Sequence, residues 1–384
     1  MRKKFRFAGV VRRLKAMLVA AGTIWIVFVT AGSDSFAAAA ESLWRSLPLR
    51  ALRWELGDLW EEDGLSPAVA VTLREAPLLL AARPAITELW GQAESSDEFE
   101  ELETVPFLPV EEAPVDAVAL EDNGVPAKTL VPMDPSGYLV SGRTYISNST
   151  EHLLSAADVQ ASFAASLSAE ESGPQILIVH THGSEAYTPA ETGGVVWSGD
   201  HRTTDSRYNV VKVGDEMADV FSAAGISVLH DRTLYDYPSY TGAYDRSLAA
   251  IQSYLVQYPS IRFVLDVHRD AVADAAGNQY KVISEVEDKT AAAQLTLVIG
   301  SDGSGLEHPD WIENLRLAVA IQEQVLEEYP TLMRPILLRN TRYNQHTTTG
   351  SLLVEVGAAG NAPEEAVLAG RLFAQSMTEV LKSK

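Results

Sequence analysis

From Gly173 onward, short aliphatic runs alternate with longer stretches of helical period, and this alternation restricts the available folds more than any other feature of the chain. The runs Gln175–His180, Ile226–His230, Arg262–Val267, Leu295–Ile299 and Ser351–Val356 are expected strands. Between and after them, Asn209–Ala224, Tyr244–Tyr258, Trp311–Tyr329 and Pro363–Leu381 are expected helices. In the first of these, Val210, Val213, Met217, Val220 and Phe221 keep three-and-four spacing, and Gly225 stands where a helix closes. Such alternation implies right-handed βαβ units. The expected class is α/β, with a mixed, mostly parallel sheet sandwiched by helices, and residues 173–384 are enough for one domain.

The upstream part is composed differently. Residues 1–15 hold seven basic side chains and no acidic ones, so against the net −22 of the chain the remainder carries −29 (−22 minus 7). Residues 16–32 form an uncharged apolar run, the short end of what spans a membrane, and the basic flank predicts a cytoplasmic start. A cleaved signal peptide is the rival, since Phe36-Ala37-Ala38-Ala39-Ala40 offers small-residue cleavage sites. Either way the body lies outside the cytoplasm, on a cell membrane if the anchor is retained as a single pass. Residues 33–172 read as an extracytoplasmic linker or accessory region, partly disordered; residues 94–116 are acidic and proline-punctuated as solvated linkers are. An alanine-rich stretch, Ala156 to Ala169, has helical composition. An acidic body repels phosphates, so nucleic acid is an unsuitable partner. Without cysteine, zinc could be held only by nitrogen and oxygen.

The chemistry gathers where strands end. Ile176-Leu177-Ile178-Val179 runs into His180-Thr181-His182-Gly183-Ser184-Glu185, and open α/β sheets bind ligands at the carboxyl ends of their strands. His182 and Glu185 have the H-x-x-E spacing that can place a nitrogen and an oxygen on one zinc ion. A second imidazole, His268, ends the run from Arg262, so the three could converge with a fourth position open, as hydrolytic zinc requires. Asp266 and Asp270 are candidates to hold an imidazole N–H. Glu355 lies among aliphatic residues, where burial raises a carboxyl pKa and suits a general base. His180 would share a face with His182 on an extended strand and is a rival ligand. Asp205 is a helix cap or a reserve oxygen ligand. Arg269, Asn344 and Gln345 are candidate substrate contacts, although the last two also suit a plain loop. Tyr235–Tyr244 is either a substrate-facing aromatic loop or a packed turn. His201, His230, His308 and His346 lie in polar surroundings expected at the surface.

In combination, THGSEAY at 181–187, the helix start at Asn209–Gly214, DVHRD at 266–270, YNQ at 343–345 and the LLVEVG strand resemble the stage II sporulation protein P family over residues 174–380. The family comprises membrane-anchored peptidoglycan amidases and endopeptidases of endospore-forming bacteria. The resemblance implies a zinc amidase domain over 173–384, with His182, Glu185 and His268 holding Zn2+ and Glu355 as the catalytic carboxylate. In the wider zinc amidases the oxygen ligand opens the helix after the first strand, which here would be Asp205. The resemblance further implies cleavage between N-acetylmuramic acid and the stem peptide during sporulation engulfment, in the septal intermembrane space, with stage II sporulation proteins D and M as partners. A zinc metallocarboxypeptidase-like peptidase and a non-catalytic wall-binding scaffold remain the alternatives.

Overall fold

Strands and helices appear in the order β1 (Val110–Ala113), β2 (Ala127–Pro132), β3 (Leu139–Ser141), β4 (Thr144–Asn148), α1 (Ala156–Gln160), β5 (Ile176–Val179), α2 (Val210–Ala223), β6 (Val228–His230), α3 (Ala243–Gln257), β7 (Phe263–Asp270), β8 (Lys281–Glu285), β9 (Ala291–Ala293), β10 (Leu295–Gly300), α4 (Trp311–Glu328), β11 (Ile336–Arg339), β12 (Gly350–Ala358) and α5 (Pro363–Lys382). This computed structural model describes residues 110–113, 123–132, 134–168, 172–190, 201–274 and 277–383. All belong to the second of two units into which the chain divides, Met1–Ala93 and Glu94–Lys384. The expected anchor, 16–32, lies outside the described residues. Among the described residues no helix is long and apolar enough to cross a membrane.

Eight strands form one sheet in the order β3-β4-β11-β10-β12-β7-β5-β6. Only β3/β4 and β10/β12 pair antiparallel, so the sheet is mixed and mostly parallel. β3 and β4, upstream of residue 173, supply one edge of it. A second, four-stranded sheet runs β1-β2-β8-β9. Gln294 lies between β9 and β10, and its side-chain amide bonds both the N–H and the C=O of Leu130 in β2.

Strand alternation sorts the side chains into two layers. Ile176, Ile178, Phe263, Leu265, Val267, Leu352, Val354 and Val356 pack with Val213, Met217 and Phe221 of α2, Leu317 and Ile321 of α4 and Phe373 of α5. Leu177, Val179 and Val264 face the other way, against Ile251 of α3. Leu353 lies with Tyr244, Val298, Leu337 and Tyr343 in a neighbouring cluster. Each fully buried large aliphatic side chain contributes roughly 1.5–3 kcal/mol, so the sheet centre is the most strongly held part of the fold. Asp266 and His268, at two-residue steps from Val264, share its face, and Glu355 shares that of Leu353. Their strands therefore direct all three away from the α2–α4–α5 layer.

Two local expectations change. The helix expected over Ala156 to Ala169 stops at Gln160, because Phe163 and Ala165 are drawn into the main core. Asn209, rather than Asp205, caps α2: its Oδ1 accepts the Val211 N–H at 3.1 Å. Asp205 instead pairs with Arg207 at 2.5 Å, close to the surface.

Candidate metal centre

The turn after β5 is fastened at several of its residues. Asp266 of β7 accepts the Thr181 N–H at 2.8 Å and its hydroxyl at 2.6 Å. Asp236 accepts the Ser184 N–H at 3.0 Å and its hydroxyl at 2.5 Å. The Ala186 N–H donates to His201 O at 2.9 Å, and the Tyr187 hydroxyl to Val356 O of β12 at 2.9 Å. So pinned, the turn presents His182 and Glu185 over the end of β7.

Glu185 bridges the two imidazoles. Its Oε1 lies 3.5 Å from His182 Nδ1, and its Oε2 lies 3.4 Å from His268 Nδ1. These separations exceed an ordinary hydrogen bond. Each is near the spacing, about 3.3 Å, of two ligand atoms that share a zinc at ~2.0–2.1 Å, with the two imidazoles facing different oxygens of Glu185. One ligand atom from each of His182, Glu185 and His268 can be chosen so that all lie within 4.8 Å of one another, and all three residues are buried. Behind them, Asp266 Oδ1 stands 2.9 Å from His268 Nε2, off the line of a hydrogen bond but within ion-pair reach. That contact leaves Nδ1 as the nitrogen turned to Glu185, an orienting role like that of the carboxylates behind metal-bound histidines. The other candidate for that role, Asp270, pairs with the buried Arg334 at 2.7 Å.

The electrostatics favour positive charge between these carboxylates. Burial works against protonation of His268, but Asp266 and then Glu185 outweigh it and hold its pKa well above the ordinary value. Burial likewise pushes Glu185 upward, yet the adjacent imidazoles of His182 and His268 and the charge of Arg269 bring it well below the usual carboxylate range. Glu355 behaves differently. It sits beside His268 in the register of β12 and β7, 1% exposed, with neither carboxylate oxygen hydrogen-bonded. Burial lifts its pKa to about 8; the charge of His268 pulls back, while Asp270 and Glu185 push further up. Directly after it the register slips, and Gly357 takes φ +67°, where a side chain is strained. A bulge at this position aims the preceding carboxylate, a common device beside active sites. The donor set and the unpartnered carboxylate next to it fit a zinc ion.

The other sequence candidates go elsewhere. His180 faces the α2 layer, because the strand ends at Val179 and the chain turns before His182. Its Nδ1 meets Val267 O at 2.9 Å and its Nε2 meets His230 Nε2 at 2.8 Å. Asp205 is likewise no part of the cluster. Arg269 donates its backbone N–H to Glu185 Oε2 at 3.2 Å, while its guanidinium binds the carbonyls of Ala186 and His201. Asn344 reaches Tyr244 O and Ser247, and Gln345 clamps Gly300 N and Val298 O; both are buried supports. His308 is buried on Asn314 rather than at the surface. The Tyr235–Tyr244 loop takes both expected parts: Tyr235 and Tyr244 are packed, whereas Tyr240 is 43% exposed and stacks on His182 at 4.6 Å between ring centres. Sequence reasoning missed Arg202 and Asp236, which meet the turn through a bridge between Glu185 and Arg202 that no local pattern announces.

A mixed α/β fold carrying a buried His–Glu–His cluster at strand ends defines a candidate metal-dependent protein of the α/β class. The profile of the stage II sporulation protein P family matches residues 118–378, and the chain belongs to that family. Stage II sporulation protein P of Bacillus subtilis (strain 168) is 25% identical over 218 residues, 53% of this chain and 50% of the relative. The match thus spans about half the length of that relative. Solved structures with some likeness include N-acetylmuramoyl-L-alanine amidase AmiC2 of Nostoc punctiforme, at 13% identity and TM-score 0.30, covering 56% of this chain and 96% of that one. Another is the CwlD amidase of Clostridioides difficile in complex with the GerS lipoprotein, at 12% identity and TM-score 0.34, covering 55% of this chain and 100% of that one.

Proposed function

We propose that this chain is a zinc-dependent peptidoglycan hydrolase that cuts the amide between the lactyl group of N-acetylmuramic acid and the L-alanine of the stem peptide. The observation that carries the reading is the His182–Glu185–His268 cluster beside the unpartnered Glu355 carboxylate. Membership of the sporulation family supplies the substrate class, as the resemblance implied. Bound zinc would polarise the amide carbonyl and acidify the attacking water. His182 and His268 would hold it through nitrogen and Glu185 through oxygen, with Asp266 fixing the His268 ring. Glu355, sheltered from solvent and high in pKa, would take the proton from water and deliver one to the leaving amine. Tyr240 screens the His182 side from solvent. The basic start and the apolar run at 16–32 support a membrane-anchored enzyme acting outside the cytoplasm, where sporulation proteins D and M are the expected partners.

Mass spectrometry of peptidoglycan fragments after digestion by the zinc-loaded full chain tests this directly. The expected products are free stem peptides beginning with L-alanine and glycan bearing unsubstituted lactyl groups. Fragments cut only within the peptide would replace the amidase with a peptidase, and an undigested wall would leave the scaffold reading.

A further inference from the structure

The chain carries a net charge of −22, so it repels a peptide that bears carboxylates, and a local cation is needed to seat one. Such a cation stands at the rim of the metal centre. Residues 201–203 run antiparallel to 184–186, with the Ala186 N–H on His201 O at 2.9 Å and the Thr203 N–H on Ser184 O at 2.8 Å. This pairing sets the Arg202 side chain next to Glu185, with Nη2 3.6 Å from Oε1. Nη1 donates to Asp236 Oδ2 at 2.8 Å, and the guanidinium carbon lies 4.6 Å over the Tyr240 ring that itself stacks on His182. Asp236 is in turn held by Ser184. The guanidinium is therefore held in orientation, yet its side chain keeps 19% exposure. Arg269, the other guanidinium here, is buried and turned to backbone carbonyls.

We infer that Arg202 binds a carboxylate of the stem peptide beyond the scissile amide, and so determines which peptides are accepted. The assignment rests on the hydrolase reading above. A dication held by His182, Glu185 and His268 takes up the charge of Glu185, which weakens its claim on Arg202. Nη2 then turns to an incoming carboxylate while Asp236 keeps the other arm in place. A planar guanidinium fork suits a carboxylate better than a lysine ammonium would.

The test uses the full chain carrying Glu355→Gln, loaded with zinc, so that binding is read without turnover. Calorimetry compares N-acetylmuramyl-L-alanyl-D-glutamic acid with the same compound amidated at both glutamyl carboxyls. Arg202→Met is expected to weaken the acid roughly tenfold or more and to leave the diamide nearly unchanged, so the preference for the acid collapses. Arg202→Lys should keep part of the preference. Zinc content, measured by atomic emission, should stay near one per chain throughout. Equal losses for both ligands, or an acid preference that survives Arg202→Met while zinc is retained, overturn the anchor alone. Absence of zinc from the parent chain overturns the metal reading, and the anchor with it.

Discussion

Glu355 has two buried carboxylate oxygens and no hydrogen bond to either, in a strand that is otherwise aliphatic. Burying such a group unpaired costs several kcal/mol when it is ionised, and burial lifts its pKa to about 8; a dication at the neighbouring cluster would draw it back to the ionised form that a base requires. A structural role is served better by an aliphatic residue, which supports the proposed part of Glu355 in the chemistry. Glu355→Gln keeps the volume and leaves the three ligand side chains untouched. Zinc content should remain near one per chain, while turnover on peptidoglycan falls by roughly 10²–10⁴. Loss of zinc from this variant would instead make Glu355 a ligand. At Gly214 the constraint is steric: a Cβ there would lie 2.6 Å from both His180 Nε2 and His230 Nε2. Gly214→Ala forces the buried pair apart and should lower stability by about 1–3 kcal/mol, read as a shift in urea midpoint. An unshifted midpoint would mean that α2 yields without cost.

At the scale of elements, β7 organises the centre, since it carries both His268 and the carboxylate that secures the turn after β5. Asp266→Asn removes the charge beside His268 and weakens the acceptor for Thr181. Zinc affinity, measured by competition with a chromophoric chelator, is expected to drop about 10–100-fold with the fold intact by circular dichroism. An unchanged affinity would reduce Asp266 to a turn support. The central strands β5, β7, β10 and β12 were legible in the sequence because strands buried on both faces read as continuous aliphatic runs. So were the helices that cover them, whose apolar stripes keep the helical period. β9 was not, for three alanines by themselves favour a helix over a strand. Nor were β3 and β4, short pieces at a sheet edge where β4 pairs with β11, Ile146 opposite Ile336 far downstream. Of the site, the strand-end residues His182, Glu185, His268 and Glu355 stood out as polar groups interrupting apolar runs. His180 misled because two-residue alternation was extended past the point where the strand stops. Arg202 and Asp236 reach the site from loops, where spacing holds no information about contact.

For the whole molecule, several imidazoles are held neutral inside the fold, and this sets its acid limit. Burial first, then the charges of Arg342 and His308, lower the pKa of His346 to about 4, and burial lowers His308 as well. A group whose pKa is lower folded than unfolded contributes stability that is present above the unfolded value, near 6.5, and is lost as pH falls toward the folded one. The urea midpoint should therefore decline between pH 6.5 and 4. His346→Gln, which cannot titrate, should make that decline shallower; an identical slope in the variant would show that other groups set it.

The position of β12 governs when the sheet can be completed. It joins β10 on one side to β7 on the other, so the strands before it form two separate half-sheets until residues 350–358 are in place. Those residues also bring Glu355. A nascent chain therefore holds no continuous sheet until residues 350–358 have emerged, and on the function proposed above a product truncated before them lacks its base.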